Sequence, residues 1–227
     1  VYLVEHSSSD RSIWEDDFRL FDEAPPPALL DTIDHIAQAL PVGRMDNFVL
    51  FYRAIFGFAA DQLWEIPDPY GLIRSRTMVS PERNIRLPLN ISESRETTTG
   101  RFLTTASGAG VQHIALTTGN IVEAVEQLTA RGTNFLDMPT NYYRDLAAKW
   151  GLDSDRIASL SRHHLMYDRD EHGEFLHAYT TPFDARFFFE IVERVGDYQQ
   201  YGAANASVRM AAQAKHRNRV AGPAASG

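Results

Sequence analysis

The chain has 227 residues, 44% hydrophobic and 23% charged, an ordinary balance for a soluble domain long enough to bury a real core. A formal net charge of −8 argues against a nucleic-acid surface, which needs clustered Lys and Arg; the one basic run, "KHRNR" at 215–219, reads as a solvated tail. Cysteine is absent, which excludes disulfides and thiolate chemistry and suits a cytoplasmic setting, and no apolar run reaches the roughly 18 residues that would span a membrane.

In chain order, "VYLVE" at 1–5 reads as a strand with no methionine and no signal peptide before it, so residues 1–30 are expected to be the end of a preceding module plus a linker closing in "APPPALL". "IDHIAQAL" at 33–40 is a strand. "MDNFVLFYRAIFGF" has Phe48, Phe51, Tyr52 and Ile55 at helical spacing and stops at Gly57. "DQLWEI", "LIRSRTMVS" and "NIRLPLNI" are three strands separated by turns. The Ser/Thr/Gly-rich segment 92–110 reads as a loop.

The order then repeats. "VQHIALTT" at 111–118 is a strand, and "NIVEAVEQLTARG" is a helix capped by Asn120 and stopped at Gly132. "NFLDMP" is a short strand, and 140–164 a helical insertion with Tyr143, Leu146 and Trp150 on one side. "HLMYDRDEHGEFLHAYTT" is a hairpin turning at "DEHG", "RFFFEIVERV" a final strand, and residues 201–227 a helix with a disordered tail. Two βαβββ modules, about 31–95 and 110–195, are thus predicted, both within a domain of residues 31–200, and each opens on a strand carrying His-Ile-Ala: His35 in one, His113 in the other.

A single histidine on a strand is commonly a satisfied core residue. Two at equivalent positions of a duplicated unit would instead face one cavity across a pseudo-two-fold axis. Glu190 lies in a strand apolar on both faces, with Phe188 and Val192 on its own side and Phe187, Phe189 and Ile191 on the other. A carboxylate buried there needs a cation. Either an arginine such as Arg86 or Arg74 supplies it, or a metal shared with His35 and His113 does. Two imidazoles and one carboxylate leave coordination positions open, which suits Fe(II); Mn, Co, Mg or Zn are compatible with the same donors. His163 and His164 at a helix end read as surface residues and His172 as a solvated turn residue. His177 shares a face with Phe175 and Tyr179, as a core histidine or a pocket wall.

These stretches resemble the vicinal-oxygen-chelate superfamily, and within it the C-terminal half of 4-hydroxyphenylpyruvate dioxygenase. "IDHI", "GAGVQHIAL" and "FFFEIVER" are similar to its three metal-ligand motifs, which implies ligands at His35, His113 and Glu190. "IRS" and "LPLN" are similar to its substrate-pocket stretches. The resemblance implies substrate contacts at Ser75, Asn90 and Gln112, with His177 in place of a family glutamine and Tyr179 beside it. Ala206 stands where the family has a phenylalanine that packs on the substrate ring.

The implied fold is α+β, a half-open eight-stranded barrel of tandem βαβββ modules with a C-terminal helix. The implied activity is an Fe(II)-dependent dioxygenase acting on a 2-oxo acid or related aromatic or hydroaromatic acid. "LPLNISE", "YDRDEHGEFLHAY" and "YGAANA" also resemble the C-terminal domain of bacterial two-domain proteins of the 3-dehydroshikimate dehydratase type. That resemblance implies an N-terminal TIM-barrel partner domain carrying the lyase site, and homo-oligomers are compatible with it.

Overall fold

A computed structural model describes residues 17–19, 28–184 and 186–220. The expected strand at 1–5, most of the linker within 6–30 and the tail beyond 220 lie outside the described residues.

Eight strands form one mixed, curled sheet. They are β1 (Ile33–Ala39), β2 (Ala59–Asp68), β3 (Gly71–Val79), β4 (Arg86–Ile91), β5 (Gly110–Thr117), β6 (Met166–Arg169), β7 (Gly173–Tyr179) and β8 (Phe188–Gly196). The order across the sheet is β2-β3-β4-β1-β5-β8-β7-β6. Each half therefore arranges its strands alike from the centre outward, and the halves join where β1 runs antiparallel to β5. The helices are α1 (Met45–Phe56), α2 (Thr98–Thr105), α3 (Ile121–Ala130), α4 (Thr140–Trp150), α5 (Ser154–Arg162) and α6 (Ala206–Val220).

Local chemistry sets the helix ends. Gly57 and Gly151 take the left-handed conformation after α1 and α4 (φ 67° and 64°), which a Cβ disfavours. The Asn120 side chain accepts from the backbone N–H of Glu123 at the start of α3. The largest core cluster packs α3, α4 and α5 against the outer face of the second half, around Leu136, Tyr143, Leu160 and Ile191. A smaller one packs α1 against the first half through Met45, Val49, Tyr52 and Leu89.

Several expectations are corrected. Segment 92–110 is not all loop: it contains α2, whose Thr97 hydroxyl caps the N–H of Gly100. "NFLDMP" forms one isolated bridge, Phe135 to Thr180, because its backbone bonds the end of β7 rather than joining the ladder. On α1 the buried stripe is Met45, Val49 and Tyr52, whereas Phe51 and Ile55 face outward. The run is apolar almost all round, so periodicity did not single out the packed side. The basic run at 215–219 lies on α6, which extends the expected C-terminal helix to Val220.

Candidate metal centre

The junction of β1 and β5 carries two symmetrical irregularities. Ile33 faces Leu116 and His35 faces Ala115, so Asp34 is an extra residue on β1. Ala37 faces His113 and Gln38 faces Val111, so Gln112 is an extra residue on β5. A bulge re-aims side chains. Each of these immediately precedes a histidine, and Asp34 is thereby brought onto its neighbour: its Oδ1 lies 2.7 Å from Nδ1 of His35. Gln112, buried, donates from Nε2 to the Thr98 carbonyl at 3.4 Å.

Small residues leave the space in which the site forms. His35, Ala115, Glu190 and Tyr179 lie in one row across four strands, and Ala37, His113 and Phe188 in the next. Because Ala115 ends at Cβ, Glu190 reaches over it. Its Oε2 lies 3.1 Å from Nε2 of His35 and 3.5 Å from Nε2 of His113. One ligand atom from each of the three residues lies within 4.8 Å of the others, and all three residues are buried. The imidazole centroids are 5.5 Å apart, nearly perpendicular. Arg74 pairs instead with exposed Glu65 and Glu93, and Arg86 approaches Asp34, so neither arginine named as an alternative neutralises Glu190.

A surrounding layer holds these groups in place. Arg194 grips Asp34 with two bonds (Nε to Oδ2 2.6 Å, Nη2 to Oδ1 2.9 Å) and donates from Nη1 to the carbonyls of Tyr198 and Gln200. His177, fully buried, donates from Nδ1 to Glu190 Oε1 at 2.8 Å and accepts at Nε2 from the Asn205 amide at 3.1 Å. The Tyr142 hydroxyl lies 3.2 Å from Asn205 Oδ1, which orients that amide. His113 stacks on Phe188 at 4.7 Å, and its Nδ1 is buried without a hydrogen-bond partner.

The electrostatics separate the two histidines. Burial opposes charge on His35, yet the Glu190 carboxylate and the bonds to Asp34 and Glu190 raise it to about 9. Burial holds His113 well below the usual histidine value, helped by the charges of His35 and Arg209 against that of Glu190. Burial pushes Glu190 upward, but His35 and the bond from His177 keep it well below the ordinary carboxylate range. A buried anion facing two Nε2 atoms is a donor set that fits a divalent cation, and Asp34 is placed as the partner that a ligating imidazole takes at its other nitrogen.

Of the remaining expected residues, Ser75 and Asn90 are cross-strand partners, and Asn90 adjoins Ala39 on the face that carries His35. Tyr179 is buried, with its hydroxyl 3.1 Å from His177 Nδ1. Ala206 packs with Ile66, Ile73 and Met210. His163 is not a surface residue: it is buried and bonded to Glu126 and the Ser159 carbonyl. His164 is half-buried and His172 exposed, and they pair with Asp137 and Glu171. Sequence reasoning passed over Asp34, Arg194, Asn205 and Arg209. The signal for the first two was a charge inside each otherwise buried strand.

Residues 32–155 match the family model described as the Glyoxalase/Bleomycin resistance protein/Dioxygenase superfamily. A 3-dehydroshikimate dehydratase of Pseudomonas putida is 44% identical over 222 residues, covering 97% of this chain and 35% of that protein. A 4-hydroxyphenylpyruvate dioxygenase of Tetrahymena thermophila is 30% identical over 194 residues, covering 79% of this chain and 47% of that protein. Among solved structures, a xylose isomerase-like TIM barrel/4-hydroxyphenylpyruvate dioxygenase fusion protein matches with a TM-score of 0.80 at 41% identity, over 94% of this chain and 34% of that one. A variant of 4-hydroxymandelate synthase from Streptomyces coelicolor matches with a TM-score of 0.76 at 26% identity, over 83% of this chain and 55% of that one. The chain spans 35% of the length of the dehydratase it matches.

Proposed function

Because the chain belongs to the Glyoxalase/Bleomycin resistance protein/Dioxygenase superfamily, we propose that His35, His113 and Glu190 hold a divalent cation, Fe(II) foremost, in a dioxygenase domain acting on a 2-oxo acid or a related aromatic or hydroaromatic acid. The observation that carries this reading is the convergence of the three ligand atoms within 4.8 Å on one buried face. Two imidazoles and one carboxylate would hold such an ion and leave coordination positions open to a substrate. A bound Fe(II) would supply Lewis-acid binding of the 2-oxo acid and redox chemistry toward dioxygen.

The chain's own residues bind, orient and exclude water. Asp34 and Arg194 fix the His35 ring, and His177 fixes Glu190. Phe188 and Tyr179 wall the histidine side, while Ser75, Asn90 and Gln112 offer polar groups for orienting a substrate. The test is oxygen uptake by anaerobically Fe(II)-loaded protein across a panel of 2-oxo acids. We expect uptake with at least one acid, abolished in His113→Ala. No uptake by fully metallated protein overturns the reading.

A second reading is favoured by the 44% identity to a dehydratase of which this chain spans 35%. In it, the domain is a metal-holding partner of an N-terminal TIM barrel, stabilising or regulating a lyase. Comparing turnover and thermal stability of the full-length protein with those of the barrel alone tests it. Equal values would remove its support.

A further inference from the structure

Arg209 on α6 is a guanidinium buried against the candidate metal centre with no carboxylate beside it. It is 7% exposed, and it donates from Nη1 to Oε1 of Gln213 at 2.8 Å. Among the described residues no carboxylate forms an ion pair with it. Its central carbon lies 5.2 Å from the ring centroid of Tyr179 and 5.6 Å from that of Phe188. Those two rings flank His113, at 6.4 and 4.7 Å. The half-buried Arg194 offers the contrast, because Asp34 neutralises it through two bonds. A desolvated cation without an anion is costly, and the faces of two rings return only part of that cost.

Gln213 and Phe188 also line a cavity of about 350 Å³ between α2, the segment 182–188 and α6. Its wall carries Arg101, Arg186 and Arg217 with His216; Arg101 pairs with Glu96 and Arg186 with Asp184, which leaves Arg217, over the Tyr70 ring, as the wall arginine without a carboxylate partner among the described residues. Phe102, Ala214 and Val220 make the rest of the wall apolar.

We infer that Arg209 is the receptor for a second carboxylate of the substrate, which approaches through this cavity while its 2-oxo acid end faces His35, His113 and Glu190. The placing of the 2-oxo end rests on the proposed function; the anion site does not. On the metal reading, charge balance points the same way. A divalent cation, Glu190 and Arg209 together sum to two positive charges, since Asp34 and Arg194 cancel, and a dicarboxylate closes that sum. The chemical class is a dicarboxylic 2-oxo acid with an apolar or ring-shaped middle.

The test uses the Co(II)-loaded chain, with ligand binding read from the cobalt absorption bands. The probes are matched pairs, 2-oxoadipate with 2-oxohexanoate and 4-carboxyphenylpyruvate with phenylpyruvate. We expect the dicarboxylate of at least one pair to bind tenfold or more tightly than its partner. Arg209→Met should erase that preference while leaving the monocarboxylate's affinity in place, and Arg209→Lys should keep part of it. No preference in the unsubstituted chain, or equal weakening of both acids by Arg209→Met, overturns the inference. Absence of any cobalt spectrum would instead sink the metal reading. In that event glutarate is added to the metal-free chain: a rise in melting temperature that Arg209→Met removes upholds the anion site, and no rise overturns it.

Discussion

His177 and Glu190 share one hydrogen bond that decides how the carboxylate can be used. Oε1 is taken by His177 Nδ1 at 2.8 Å, so only Oε2 is directed at His35 and His113. With the Asn205 amide donating to Nε2, the ring's proton sits on Nδ1 and the arrangement is self-consistent. Glu190 would therefore meet a cation through one oxygen, leaving more of the coordination sphere to a substrate.

Replacing His177 by alanine removes the donor that restrains Glu190. We expect divalent-metal affinity to fall about 10–100-fold, the usual consequence of losing an outer partner of a ligand. His177→Gln keeps a donor and should lose less. Competition against a chromophoric chelator gives both constants; unchanged affinity in the alanine variant would show that Glu190 is held by other means.

Ala115 has no exposure and lies between His35 and Glu190 in the row across the sheet. Ala115→Val should keep the strand, because a β-branched residue suits it, while its methyl groups intrude where Oε2 meets Nε2. The expected outcome is a folded protein by circular dichroism whose metal content drops below one-tenth of the original.

Metal uptake should release a proton. His35 titrates at about 9 and is protonated at neutral pH, whereas His113 is held neutral, so one proton must leave for Nε2 of His35 to become a ligand. Affinity should rise about tenfold per pH unit between pH 6 and 8 and level off above 9. Calorimetry in two buffers of different ionisation enthalpy checks this directly, and a proton count near zero at pH 7 would contradict it.

Gly202 sits at φ +59°, and an added Cβ would lie 2.8 Å from Cε1 of His177. Gly202→Ala should cost more than the roughly 1–2 kcal/mol of a left-handed backbone alone. In a His177→Ala background the increment should shrink toward that value. A double-mutant cycle by urea unfolding measures the coupling, and equal increments in both backgrounds would mean the contact is not felt.

Much of the architecture was legible because both halves repeat one order of elements, and because His35 and His113 sit at the same place in each. Glu190 was legible as a charge in a strand apolar on both faces. What periodicity could not convey was which side of an all-round apolar helix packs: Tyr52 is buried on α1, whereas Phe51 and Ile55 face outward. It also could not convey α2, whose cap lies in a Ser/Thr-rich run that reads as loop. The positioning residues were hidden for a different reason. Asp34 turns toward His35 only because β1 carries an extra residue there, and Asn205 meets His177 across 28 positions of chain.

The register of the two halves has one more consequence. Glu190 lies beside Ala115 on β8, and Leu89 lies beside Gln38 on β4, so the place in the first half that corresponds to Glu190 falls to Pro88. Proline brings no side-chain donor. One half thus carries a hand that grips while its counterpart is bare, and the bare side is where Ser75 and Asn90 stand. Symmetry broken at that position gives the site a direction: a held ion would be anchored from β8 and approachable from β4.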